Sequence, residues 1–275
     1  MRILVDGQSF QTDSRNRGIG RYTEGLINGL CKNGADVVVL LNGSYEQASS
    51  EAFLRIKTNI PEVKVEFFFP FGNNSSLNIN ELDYFLSEQL YLDAVNRIRP
   101  DAFLCPSIFE VGQIFICPPL ERISKICPVS AVGHDTIPLD DVQVNLPAHD
   151  VRNSYLSFLR AAFSVDLMLC NSRFTEKRFL HICPGLKTKV IWGASFTEDV
   201  KQIEKKNYIF YCGGLDPRKN VDFLCRSYAK LPYSIRIKYP LYICCRKNTD
   251  LAQKLNKFIK QLGIGSQIKL VEAEK

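Results

Sequence analysis

The chain has 275 residues, 45% hydrophobic and 23% charged; that suffices for about two domains with buried cores and is too apolar for disorder. No stretch approaches the roughly 20 apolar residues a membrane-spanning helix needs. The opening Met1-Arg2-Ile3-Leu4-Val5-Asp6 is too short and too soon acidic for a secretory signal, so a cytoplasmic protein is expected.

The net charge of +6 is uneven: residues 201–275 hold 16 Lys and Arg against 6 Asp and Glu. A basic segment of this kind suits a phosphate-rich ligand or peripheral contact with an anionic membrane surface. Without aromatic interleaving it gives no support to nucleic acid. The ten cysteines sit mostly in apolar runs such as Phe103-Leu104-Cys105, and no C-x-x-C pair occurs. They read as reduced, buried small hydrophobes, and no metal site is expected.

In chain order, strands are expected at 2–5, 36–41, 63–69, 101–105, 129–133, 167–170, 188–192, 208–212, 241–245 and 268–271. Val37 to Leu41 is continuously apolar, as in a parallel strand covered on both faces. Amphipathic helical stripes fill the intervals. One holds Val151, Tyr155, Phe158, Leu159 and Ala162; another holds Leu251, Leu255, Phe258, Ile259 and Leu262, with Gly263 placed to end it. Ser172 is a candidate N-cap for a helix from Arg173 to Ile182. Alternation of strand and helix implies doubly wound α/β layers. The pattern breaks after Trp192. The expected organisation is a domain over 1–193, a polar linker over 194–207 and a second domain over 208–275. Three strands are few for an open parallel sheet, so the second domain reads as incomplete.

Four segments carry chemistry. Arg15-Asn16-Arg17-Gly18-Ile19-Gly20-Arg21-Tyr22 follows the first strand by a long loop. Its glycines let backbone approach a ligand, and a helix start offers N–H groups to an anion. It is not a dinucleotide fingerprint, because Thr23 stands where the third glycine would fall. Val132-Gly133-His134-Asp135 lies at the carboxyl end of a strand, where ligands of open α/β sheets bind. Asn171-Ser172 stands where a strand hands over to a helix. Tyr211-Cys212-Gly213-Gly214-Leu215-Asp216-Pro217-Arg218-Lys219-Asn220 leaves a strand, turns on two glycines and enters a helix. Two adjacent cations disfavour a helix start unless an anion sits there. Arg218 and Lys219 suit a diphosphate.

These segments in this order resemble the family 4 retaining glycosyltransferases, in the mannosyltransferase-like branch of bacterial surface-polysaccharide synthesis. The resemblance also draws on Asp6-Gly7-Gln8-Ser9-Phe10-Gln11, Cys105-Pro106-Ser107 with Phe109-Glu110, and Phe174-Thr175. It implies a GT-B fold of two Rossmann-like domains facing a cleft, the first holding a glycan or lipid-linked glycan acceptor and the second a nucleotide-sugar donor, GDP- or UDP-linked. It implies no cofactor and no metal. Gly18, Gly20, Gly213, Gly214, Arg218 and Lys219 would contact the donor, and His134 would act at the reacting centre. Where the family's arginine usually follows the first glycine, Gly214 stands, and Arg218 takes its place. The family's two donor-binding glutamates would fall beyond Lys275, so the chain corresponds to the front three-fifths of such an enzyme, and by itself it is expected to transfer no sugar.

Two other readings have distinct signatures. A non-catalytic half would keep the fold and need a partner chain. A nicotinamide-dependent dehydrogenase would need the fingerprint that is missing here.

Overall fold

All ten apolar runs become strands in a computed structural model that describes residues 1–71, 81–110, 116–193, 206–247 and 249–272. Seven belong to the first unit, Met1–Phe196: β1 (Arg2–Asp6), β2 (Asp36–Asn42), β3 (Lys64–Phe68), β4 (Ala102–Cys105), β5 (Val129–Gly133), β6 (Leu167–Cys170) and β7 (Thr188–Val190). They form one sheet in the order β3-β2-β1-β4-β5-β6-β7, with every pairing parallel.

The period of two assigns each strand's side chains to two helical layers. Leu4, Val38 and Leu40 pack on one face with Tyr91, Val95, Phe158 and Leu159 of helices Glu81–Ile98 and His149–Ala162. Ile3, Val5, Val37, Val39 and Leu41 pack on the other with Ile27, Ala52 and Ile56 of helices Gly18–Lys32 and Glu46–Asn59. This two-sided cover is why the run from Val37 to Leu41 shows no polar alternation.

The helix Arg173–Ile182 begins as the sequence suggests: the Ser172 hydroxyl accepts from the Thr175 N–H at 3.1 Å. One glycine is dictated by this packing. A Cβ at Gly133 would stand 2.4 Å from the ring of Phe179, which is fully buried, so β5 can pass under that helix only without a side chain there.

The second unit, Thr197–Lys275, holds β8 (Ile209–Cys212), β9 (Leu241–Cys244) and β10 (Ile268–Val271) in a parallel sheet of order β10-β9-β8. The helices Val221–Ala229 and Asp250–Gln261 cover it through Val221, Cys225, Tyr228, Leu255 and Ile259. A short helix, Tyr233–Lys238, was not expected from the sequence; its six residues are too few to show a periodic stripe. Gly263 follows the last helix with φ of +69°, as a helix-ending glycine should. Most of the expected linker, residues 194–205, lies outside the described residues.

Gly133→Ala should destabilise the first unit by about 1–3 kcal/mol through overpacking against Phe179. Urea denaturation checks this, and an unchanged midpoint would refute the close approach.

Candidate functional site

The strand order reverses between β1 and β4, and a crevice opens at such a switch point outside the carboxyl ends of the strands. Three loops meet there: the one after β1 (Gly7 to Arg17), the one after β4 (from Pro106) and the one after β5 (from His134).

His134 is half-buried one residue beyond β5. Its Nε2 lies 2.8 Å from the carbonyl oxygen of Pro106. A carbonyl only accepts, so Nε2 carries the proton and Nδ1 is left as an acceptor. Burial lowers the His134 pKa from its ordinary value, although the Pro106 carbonyl and the carboxylates of Asp135 and Glu110 pull it up. The neutral ring is wedged edge-on against Tyr22, centroids 5.4 Å apart. Behind it the Thr175 hydroxyl lies 3.2 Å from the His134 carbonyl and 2.9 Å from Asn171 Oδ1. Asn171 and Ser172 thus act on the backbone that carries the histidine.

The structure brings the segment 15–22 beside His134 through Tyr22, and it separates the two glycines. A Cβ at Gly20 would lie 2.5 Å from the Arg15 carbonyl oxygen, so that glycine is required by the chain's own packing. Gly18 faces open space and opens a helix that no side chain among the described residues caps.

Beneath these loops lies a buried polar cluster to which the sequence analysis assigned no role. Asp6 Oδ1 accepts from Gln8 Nε2 at 3.0 Å and from the Tyr91 hydroxyl at 3.1 Å. The Gln8 amide also pairs with both backbone groups of Ile116, each at 2.8 Å. Glu110 is buried and accepts from Ser107 Oγ at 2.7 Å and Thr12 Oγ1 at 2.5 Å, tying the loop after β4 to the loop after β1. The available signal was the polar run Asp6-Gly7-Gln8 at the end of an apolar strand; the partners lie about a hundred residues away.

Burial pushes the Asp6 carboxyl up to about 7 from 3.8; its hydrogen bonds from Gln8 and Tyr91 oppose the rise, and the Glu110 charge adds to it. The folded state therefore holds a proton that the unfolded chain releases near pH 4, and stability falls as pH rises from about 4 to about 7.

In the second unit, Gly213 and Gly214 follow β8, and the Tyr211 hydroxyl donates to the Gly214 carbonyl at 2.7 Å. Pro217–Lys219 forms a single 3-10 turn, so Arg218 and Lys219 precede the α-helix rather than open it. Asn220 turns the chain with φ of 49° and leads into Val221–Ala229, again without a side-chain cap. Arg218 Nε pairs with Asp216 Oδ1 at 3.1 Å, the arginine exposed and the aspartate half-buried. The Lys219 side chain is exposed and meets no partner among the described residues. No group of three or more His, Cys, Asp or Glu among the described residues is placed to hold a metal ion. None of the described helices is long and apolar enough to cross a membrane.

A fold of doubly wound parallel sheets with its polar loops gathered at the switch point is the architecture of GT-B glycosyltransferases, and comparison with known proteins agrees. No family model matches the sequence. The serotype-specific mannosyltransferase WbdA of Escherichia coli is 21% identical over 288 residues, covering 96% of this chain and 34% of that protein. The chain thus spans about a third of the length of this curated relative. Among solved structures, the lipopolysaccharide outer core galactosyltransferase WaaB in its apo form superposes with a TM-score of 0.62 at 13% identity, over all of this chain and 69% of that one. An E. coli structure described as trehalose-6-phosphate bound with UDP-2-fluoro glucose gives 0.57 at 10% identity, over all of this chain and 74% of that one. The chain has the GT-B fold.

Asp6→Asn keeps an acceptor for Gln8 and Tyr91 and removes the ionisable group. It should flatten the fall in stability between about pH 4 and pH 7. Thermal melts across that range check this; parallel pH profiles for variant and wild type would refute it.

Proposed function

We propose that the protein is a glycosyltransferase that moves a hexose from a GDP- or UDP-linked sugar to a glycan or lipid-linked glycan acceptor, with retention at the anomeric carbon. Mannose is the sugar suggested by the likeness to WbdA. The observation that carries the reading is the state of His134. On a GT-B scaffold, a neutral imidazole held as acceptor at Nδ1, beside an uncapped helix start, suits binding of a sugar hydroxyl better than proton transfer. Likeness to enzymes in both sequence and fold supports this reading over a non-catalytic half.

In the transfer, the bond between the anomeric carbon and the phosphate oxygen breaks, and the acceptor oxygen bonds to that carbon on the same face. The acceptor's proton passes to the leaving phosphate. Charge building on the diphosphate is the main electrostatic demand, and Lys219, Arg218 and the first N–H groups of Val221–Ala229 would meet it. Lys219 is unpaired among the described residues, whereas Arg218 must first leave Asp216. Cationic side chains thereby fill the role a metal ion plays elsewhere, and the reading calls for no cofactor. The basic segment 201–275 also suits peripheral contact with an anionic membrane.

A screen of GDP- and UDP-sugars with lipid-linked glycan acceptors, run on the protein together with any sequence that adjoins these residues in its gene, tests the reaction, and absence of transfer from every donor would overturn it. Lys219→Ala should weaken nucleoside diphosphate binding by about 1.5–3 kcal/mol, the worth of one charged hydrogen bond; equal affinities by calorimetry would remove Lys219 from the site. His134→Ala should lower turnover by roughly tenfold to a hundredfold while costing about 1 kcal/mol of stability. A large fall in melting temperature with turnover unchanged would make the histidine structural.

A further inference from the structure

We propose that two copies of this chain join along the edge strand β3, pairing antiparallel about a two-fold axis at Val65. The proposal concerns the first unit only and is independent of the reaction given above.

β3 ends its sheet, with no strand on its outer side among the described residues. The backbone groups of a strand alternate between its two neighbours. Phe68 stands opposite Asn42, and its carbonyl accepts from the Gly43 N–H at 2.8 Å, so Lys64, Glu66 and Phe68 turn their backbone groups to β2. Val63, Val65 and Phe67 turn theirs outward. The Val63 N–H donates to the Ile60 carbonyl at 3.2 Å, and the Val63 carbonyl accepts from Lys57 Nζ at 2.8 Å. Arg97 Nη2 reaches the Phe67 carbonyl at 3.3 Å. What stays open is a short stretch: both backbone groups of Val65 and the N–H of Phe67, which meet no partner among the described residues. Such an edge is a template for another strand.

The strand is complementary to itself, which identifies the occupant as a second copy. With the axis at Val65, the two Val65 residues exchange both N–H···O bonds. Each Phe67 N–H then meets the Val63 carbonyl of the other copy, which has a lone pair beyond the one Lys57 uses. Every open N–H is satisfied. The same axis sets Lys64 opposite Glu66 of the other copy, twice, in the close pairs that exchange no backbone hydrogen bond. Within one chain these charges are loosely held. Lys64 shares Asp36 with Arg2, and Glu66 lies 3.6 Å from an Arg97 that is 63% exposed. Moving the axis by one residue either way would set Lys64 against Lys64 or Glu66 against Glu66, so charge selects the register. Apolar surface lies beside the joint. Val65 and Phe67 face the layer of the helix Glu46–Asn59. Phe53 of that helix stacks on Phe67 with centroids 6.4 Å apart, and Leu54 beside it is 64% exposed. Two copies of the helix would flank the axis on this face and cover what one copy leaves in water.

Sedimentation equilibrium of the full chain over a range of concentrations tests this, with far-UV circular dichroism to show that each variant folds. The wild type should show a monomer–dimer equilibrium. Lys64→Glu and Glu66→Lys each set like charges opposite one another in both symmetric pairs, and each should weaken the dimer by roughly tenfold or more. Mixing the two variants restores opposite charges in both pairs. A mixed dimer of about wild-type strength should then form, and no change in folding can imitate that recovery. Val65→Pro removes an outward N–H and leaves the ladder to β2 intact, so it should weaken the dimer as well. A chain that stays monomeric at every concentration would overturn the proposal. So would a dimer that neither charge variant weakens, which would place the contact on another face, or two weakened variants that fail to recover on mixing.

Discussion

A parallel sheet buried on both faces leaves polar chemistry only one place to go, the ends of its strands. Helices cover this sheet on both faces, so the apolar side chains along the middle of β1, β2, β4 and β5 are spent on packing. The loops leaving the carboxyl ends are free of that demand. Where the strand order reverses between β1 and β4, two of them diverge and a third, from β5, comes alongside. His134, the open start of the helix Gly18–Lys32 and the buried carboxylates all stand at this rim for the same reason.

The rim is held together by polar groups that are costly to bury. Glu110 is satisfied by two hydroxyl donors from different loops, and the Gln8 amide spans from Asp6 to the backbone of Ile116. Removing either end of such links strands a buried partner. Asp6 carries the clearest cost, since burial holds its proton to near neutral pH. A cheaper apolar residue at that position would fill the space and leave the Tyr91 hydroxyl and one N–H of Gln8 without this acceptor.

The two glycine-bearing turns solve different problems. In the first unit Gly20 admits the Arg15 backbone and thereby presses the arginine-rich turn against the helix start. In the second unit the turn after β8 is braced by Tyr211 and ends in a 3-10 turn with Arg218 and Lys219 held out in solvent. The first arrangement shapes a surface, and the second displays charge.

Sequence by itself determined the strands and the longer helices, though not the short helix Tyr233–Lys238. The ten strands, the helix stripes and the Ser172 cap are local, set by periods of two and 3.6 and by one hydroxyl reaching three residues ahead. It also singled out His134, Gly18, Gly20, Gly213, Gly214, Arg218 and Lys219, because glycine turns and cations at strand ends are visible in a few neighbouring letters. Only the tertiary structure decided which of these meet and in what state. The proton on His134 is placed by Pro106, 28 residues away. Gly20 owes its identity to a turn folded back on it, and Arg218 is neutralised by Asp216 while Lys219 is not. Burial holds the Asp6 carboxyl up at about 7, against the hydrogen bond it accepts from Tyr91, 85 residues on. Local patterning fixes what the backbone does, whereas protonation, pairing and exposure depend on neighbours that only the closed sheet and its loops bring together.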